Sequence, residues 1–271
     1  MIRTEYTVAR AFGVPIKVDL SLLVLALVLV WHAGSLAIGL LAAGLLLVSV
    51  TLHELGHTWM ALQFGCRVRD ITLLLLGGRA TLLDMPREPW KEFLVALAGP
   101  FVSLLLWVGG WACGRWLIAG SEILPAAGTP LVIGGAVVFW LGLINKYLLL
   151  FNLLPAFPMD GGRVLRAILS QRVGRLRGTY IASRIGRLLA IGMGAFAVYE
   201  SRWMLLLIAV FVYQAAEQEY RLVQMEETRG FDPFRVFWTP EPPPVPQDEV
   251  RVSPPPYERG RDRRSDLHVE R

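Results

Sequence analysis

Long uncharged stretches dominate the pattern of this chain. No Asp, Glu, Lys or Arg occurs between Leu20 and Leu52, and further uncharged runs extend from Phe93 to Gly114, Ile123 to Asn145, Leu188 to Tyr199 and Trp203 to Ala216. As one helix the first run would be about 50 Å long, against about 30 Å of hydrocarbon in a bilayer, so a break is expected near His32-Ala33-Gly34-Ser35. Its second half continues through His53 and His57 to about Phe64, where Gly65 supplies a helix stop. The pattern predicts an α-helical polytopic membrane protein with about six transmembrane helices, near residues 18–32, 37–64, 90–116, 130–154, 181–199 and 203–220. Between Arg67 and Leu83 the period changes: Ile71 to Leu76, then Gly77-Gly78, then Arg79 to Leu83 reads as a short β-hairpin turning at the glycines. Its apolar character places it against the bilayer or the helices. Residues 1–222 form the expected membrane core, and 223–271 read as a polar, proline-rich tail, disordered or in polyproline II.

Composition agrees with a lipid environment. Among 271 residues 54% are hydrophobic and only 18% charged, and the mean hydropathy is +0.49, which argues against an ordinary soluble domain. Positive charge alternates along the chain. Arg3, Arg10 and Lys17 precede the first span, Arg67 to Lys91 separate the second and third, and seven arginines from Arg163 to Arg187 follow the fourth. By the positive-inside rule these segments and both termini are cytoplasmic. The net charge of +5 follows from this bias, and no nucleic-acid module or basic-aromatic stripe is present in the sequence. Cys66 and Cys113 are too few for a disulfide framework and lack zinc-site spacing. The first apolar run has no small-residue cleavage site behind it, so the N-terminus is expected to stay attached. The proline-rich tail could dock an aromatic-lined partner domain, with an inert linker as the plainer reading.

Within the second span stands His53-Glu54-Leu55-Gly56-His57. A helix puts residues four apart on one face, so both imidazoles can reach one zinc ion, while Glu54 is placed to take a proton from the attacking water. Ionisable groups at that depth are costly unless they bind something. Zinc needs a third protein ligand, and the remaining histidines, His32 and His268, lie on the outer side and in the tail. A carboxylate is therefore expected. Asp160 is the best placed, after the fourth span in Asn152-Leu153-Leu154-Pro155-Ala156-Phe157-Pro158-Met159-Asp160-Gly161-Gly162, where two prolines break the helix. Asp70, Asp84, Glu88 and Glu92 share its side of the membrane and compete with it.

These two motifs resemble those of the site-2 protease family of intramembrane zinc metalloproteases. His53-Glu54-Leu55-Gly56-His57 followed by Ala61, Phe64 and Gly65 matches its first motif, and the run from Asn152 through Pro155 to Asp160-Gly161-Gly162 matches its second, with Gly77-Gly78 and Ala98-Gly99-Pro100 also fitting. The resemblance covers roughly residues 10 to 220. It implies one zinc ion per chain held by His53, His57 and Asp160, Glu54 as catalytic base, and Asn152 and Pro155 near the substrate. It further implies a multi-pass protein of a prokaryotic cell membrane that cuts a transmembrane protein substrate in the lipid bilayer. Gly77 and Gly78, in the hairpin, are candidates for pairing with the unwound substrate.

Ser103 stands where the family often has Asn, and Asp19 where His is common, neither of them expected to touch the metal set. Lys146, beside Asn145 in the fourth span, is unusual there and is expected to snorkel toward a cavity or pair with an acid. One rival is a membrane-bound zinc protease of another family, acting on soluble or lipidated tails; the other is a metal transporter or zinc-dependent scaffold that uses the same ligands without hydrolysis. Glu54 is the discriminating residue, since a pure binding site does not need it.

Overall fold

A computed structural model describes residues 5–74, 77–83, 88–123 and 128–229. Their elements in order are β1 (Glu5–Ala11), β2 (Val14–Asp19), α1 (Ser21–Ala33), α2 (Leu36–Gln63), β3 (Val68–Leu74), β4 (Gly77–Leu82), α3 (Pro89–Ile123), α4 (Gly128–Asn152), α5 (Asp160–Val173), α6 (Arg175–Tyr199) and α7 (Trp203–Arg229). The break between α1 and α2 falls where the sequence predicts it, at Gly34, whose φ of +62° ends α1 in the left-handed region.

Four described helices are long and apolar enough to cross a membrane, those spanning Leu36–Gln63, Pro89–Gly120, Thr129–Asn152 and Arg175–Tyr199. The expectation of six spans is met only in part. The first expected span is a helix of 13 residues, about 20 Å long and shorter than a hydrocarbon core. The last, α7, mixes its apolar start with Gln214, Glu217, Gln218 and Glu219. It also runs on to Arg229, so the expected tail begins as helix: Val223 is buried and Glu226 pairs with Arg175 of α6 at 3.2 Å. The proline-rich stretch beyond it, with its proposed partner, lies outside the described residues. A separate helix, α5, occupies what the sequence suggests is only a cytoplasmic connection.

The hairpin is part of a larger sheet, in the order β1-β2-β3-β4. β2 pairs with β3 in parallel, Ile16 opposite Ile71, and buries Val14 and Ile16 with Ile71 and Leu73 against Leu47, Val50 and Leu55 of α2. Gly77 and Gly78 are not the turn. They lie in β4, opposite Leu74 and Leu73, because the strand partner for β3 begins at the first glycine. This apolar packing seats the sheet on the half of α2 that carries His53 to His57.

Helix α2 meets α3 at very close range. A Cβ on Gly56 would lie 2.8 Å from the Ala98 carbonyl oxygen, so only glycine permits this approach. Beyond α4, the link 153–159 folds back over the first turn of α5, where a Cβ on Gly162 would lie 2.7 Å from the Phe157 nitrogen. Arg166, fully buried in α5, donates from Nε to Glu92 Oε1 of α3 at 2.6 Å and from Nη1 to Glu219 of α7. Its guanidinium also lies over the Phe157 ring, 5.2 Å from the centroid. These contacts fix the start of α5 against α3.

Candidate metal centre

Helix periodicity places His53 and His57 on one face of α2, and α5 brings its first residue, Asp160, to them across more than 100 residues of chain. His53 Nε2 lies 3.0 Å from Asp160 Oδ2, His57 Nε2 lies 3.1 Å from the same oxygen, and the two Nε2 atoms are 3.2 Å apart. All three residues are buried, and they form the one group of three or more metal-capable side chains among the described residues. Asp160 contributes the one carboxylate of the group. Its position at the start of α5 adds the favourable end of the helix dipole.

Both imidazoles are held from behind. His57 Nδ1 donates to the Val95 carbonyl at 2.7 Å, leaving Nε2 as the lone-pair nitrogen facing the cluster. His53 Nδ1 lies 2.9 Å from Ser103 Oγ, also buried. Ser103, expected to stand clear of the metal set, therefore touches it. The sequence offered only the departure from the family's usual Asn as a signal, because a residue 50 positions away along the chain reaches His53 only once α2 and α3 pack. Gly99 is equally close. A Cβ there would overlap His57 Nε2 and lie 2.7 Å from His53 Nε2.

Glu54, one position round the helix, accepts a hydrogen bond from the Ala80 backbone N–H at 3.2 Å. Gly78 lies over the same side chain, where a Cβ would be 2.9 Å from Oε1. Strand β4, the terminal strand of the sheet, thus lies along Glu54. Asn152 donates to the Leu148 carbonyl in the last turn of α4 at 3.0 Å, and Pro155 is exposed in the link to Asp160. The competing carboxylates are engaged elsewhere: Asp70 with Lys17 at 2.7 Å, Glu92 with Arg166 at 2.6 Å, and Glu88 with Lys91 at 2.6 Å. Asp84 and His268 lie outside the described residues, and His32 is in α1.

The donor set fits zinc. Ligand bonds of about 2.0–2.1 Å in a tetrahedron put neighbouring donor atoms about 3.3 Å apart, close to the observed triangle, and two neutral imidazoles with one carboxylate are a zinc donor set. Three protein donors leave the fourth position open.

A family model described as peptidase family M50 matches residues 41–121 and 127–193, more than half of the chain. The chain belongs to peptidase family M50. The matched segments of this site-2 protease family contain His53, Glu54, His57 and Asp160. A zinc metalloprotease of Methanocaldococcus jannaschii is 40% identical over 198 residues, covering 73% of this chain and 55% of that protein. A relative from Synechocystis sp. is 40% identical over 243 residues, covering 81% of this chain and 61% of its own length. The chain thus spans little more than half the length of these curated relatives. Among solved structures, the site-2 protease from Methanocaldococcus jannaschii aligns with a TM-score of 0.56 at 34% identity, over 80% of this chain and 95% of that one. With its apolar helices, this M50 chain is an integral membrane protein.

Proposed function

We propose that this M50 protein is an intramembrane zinc metalloendopeptidase that hydrolyses a peptide bond in or near a transmembrane segment of another membrane protein. The observation that carries the reading is the buried triangle of His53 Nε2, His57 Nε2 and Asp160 Oδ2, with sides of 3.0 to 3.2 Å, beside Glu54. His53, His57 and Asp160 are the ligands of one ion per chain. When bound, zinc supplies Lewis acidity, lowering the pKa of water toward neutrality and polarising the carbonyl under attack.

The protein groups do the rest. Ser103 and Val95 hold the two rings so that their Nε2 lone pairs converge. Glu54 accepts the proton of the attacking water and returns it to the amine nitrogen as the C–N bond breaks. A substrate helix hides its peptide bonds in its own hydrogen bonds, so it must open locally before cleavage. The edge of β4 at Gly77 and Gly78 is where an opened strand pairs, since this terminal strand lies along Glu54 and an edge offers backbone groups for β-augmentation. Asn152 and Pro155, at the end of α4 and in the link to Asp160, border the same substrate path.

In this reading α1 and α7 join α2, α3, α4 and α6 as spans, residues 1–222 form the catalytic core, and both termini face the cytoplasm of a prokaryotic cell. The test compares full-length wild type with Glu54→Gln and Asp160→Asn, measuring bound zinc and cleavage of single-span membrane proteins in detergent. Glu54→Gln is expected to keep zinc and lose cleavage, and Asp160→Asn to lose both. Wild type that holds zinc but cuts nothing, with Glu54→Gln indistinguishable from it in zinc binding and transport, would favour the transporter or scaffold reading.

A further inference from the structure

Helices α3 and α4 pack backbone to backbone through small residues: a Cβ on Gly110 would lie 2.8 Å from the Gly142 Cα, and one on Gly114 2.7 Å from the Phe139 nitrogen. So close a crossing forces the large neighbours to its flanks. On one flank Trp107, Val108, Trp111, Phe139, Leu143 and Lys146 line a groove of about 430 Å³. Val108 and Trp111 are exposed, facing the lipid in a membrane, and the rest are half-buried.

Lys146 is the anomaly in this groove. Its Nζ lies 5.6 Å from the Trp107 ring centroid, and no described carboxylate lies at ion-pair distance from it. Its depth follows from its neighbour: Asn145 donates to Ser49 Oγ at 2.9 Å, and Ser49 sits at the middle of α2, which runs from Leu36 to Gln63. Trp107, one turn beyond Ser103 on α3, keeps the amine on the outer side of the metal centre, away from the cytoplasmic end. Snorkelling to the nearer headgroups is therefore not the observed arrangement. A cation at that depth is costly unless paired, and the aromatic wall supplies only a partial counter-charge.

We propose that this groove docks a transmembrane helix carrying an Asp or Glu near bilayer mid-depth, whose carboxylate pairs with Lys146. The α3–α4 groove accepts a helix face, its apolar wall matches one, and its single unpaired charge selects an acidic residue in an otherwise apolar segment. The inference rests on the membrane placement of α3 and α4 and not on the proteolytic chemistry. It names the class of membrane protein this chain engages, whether that partner is cut or only held.

The test is a binding measurement in phosphatidylcholine nanodiscs with the full-length protein. Energy transfer is followed from labelled Leu-Ala helices bearing a central Glu, Gln or Lys. Wild type is expected to bind the Glu helix about three- to eighteen-fold more tightly than the Gln helix, the range to which measured polar contacts between membrane helices convert. Lys146→Met should abolish that preference, Lys146→Arg should keep it, and Lys146→Glu should transfer it to the Lys helix. Gel-filtration profile and melting temperature establish that each variant is folded, and retention by Lys146→Arg separates charge from packing. Equal binding of the Glu and Gln helices by wild type, or a preference that survives Lys146→Met, overturns the proposal. So does Lys146-dependent retention of phosphatidylglycerol in native mass spectrometry without helix discrimination, which assigns the groove to an anionic lipid. Loss of all cleavage with discrimination intact counts against the protease reading alone.

Discussion

Removing the charge of Arg166 while leaving its partners is the sharpest perturbation of the scaffold. The Arg166 side chain is 0% exposed and that of Glu92 8%, while Glu219 retains 28% exposure and is partly screened. Arg166→Met deletes the cation but keeps most of the apolar stem, so the cost falls on two carboxylates left without a partner, the deeper of them Glu92. Breaking a buried ion pair from one side costs about 3–5 kcal/mol, a large part of a typical folding stability of about 5–15 kcal/mol. At about 2–4 °C per kcal/mol for a domain of this size, the melting temperature should fall by roughly 6–20 °C, with the exposure of Glu219 pulling toward the lower end. Thermal unfolding in detergent by intrinsic tryptophan fluorescence reads this directly. The companion variant is the triple Arg166→Met, Glu92→Gln, Glu219→Gln, which removes both orphaned charges and should recover at least half of the loss. Because α5 begins with Asp160, the single variant should also bind zinc more weakly. A fall under about 2 °C, or a triple variant that melts below the single one, would refute the argument that unpaired charge dominates here.

Other consequences are simpler to state. Ser103→Ala removes the partner of His53 Nδ1 and should weaken zinc affinity about 10- to 100-fold, measured by competition with a chromogenic chelator; an unchanged affinity would show that the ring needs no such support. Gly99→Ala introduces a Cβ against both Nε2 atoms and should abolish zinc binding, while Gly109→Ala on the same helix, where a Cβ meets nothing within 4 Å, should leave it intact. Asp70 answers to pH. Burial alone would raise its carboxyl, yet the hydrogen bond from Lys17, joined by the charge of Arg69, holds it below the ordinary range. A depressed folded value contributes stability that is present above the unfolded pKa of about 3.9 and is lost as pH falls through the folded value. The melting-temperature gap between wild type and Asp70→Asn should therefore be widest near neutral pH and close progressively below about pH 4; a gap that stays constant into acid would argue against the ion pair.

Much of this molecule is written locally. Uncharged runs such as Leu20 to Leu52 declare membrane helices because a bilayer selects on hydropathy and length alone, and Gly34 marks the break because a left-handed residue is the simplest helix stop. The pairing of His53 with His57 is likewise local, since a spacing of four is a property of one helix. The run from Asn152 to Gly162 declared a second motif but not its partner. The sequence already ranks Asp160 first; tertiary structure adds what occupies two of its competitors, Lys17 on Asp70 and Arg166 on Glu92, while Glu88 pairs locally with Lys91 three residues on. The same holds for β1 and β2, whose short N-terminal strands become part of a sheet only when Ile16 finds Ile71 in parallel, a pairing no local period reveals. It holds for Gly77 and Gly78, which read as a turn and are strand; at Gly78 only the docked sheet requires the absence of a side chain over Glu54. Hydrophobic periodicity encodes which face is buried. What lies against that face depends on contacts between residues far apart in the chain, and those contacts brought Ser103, Gly99 and Asp160 to the histidines.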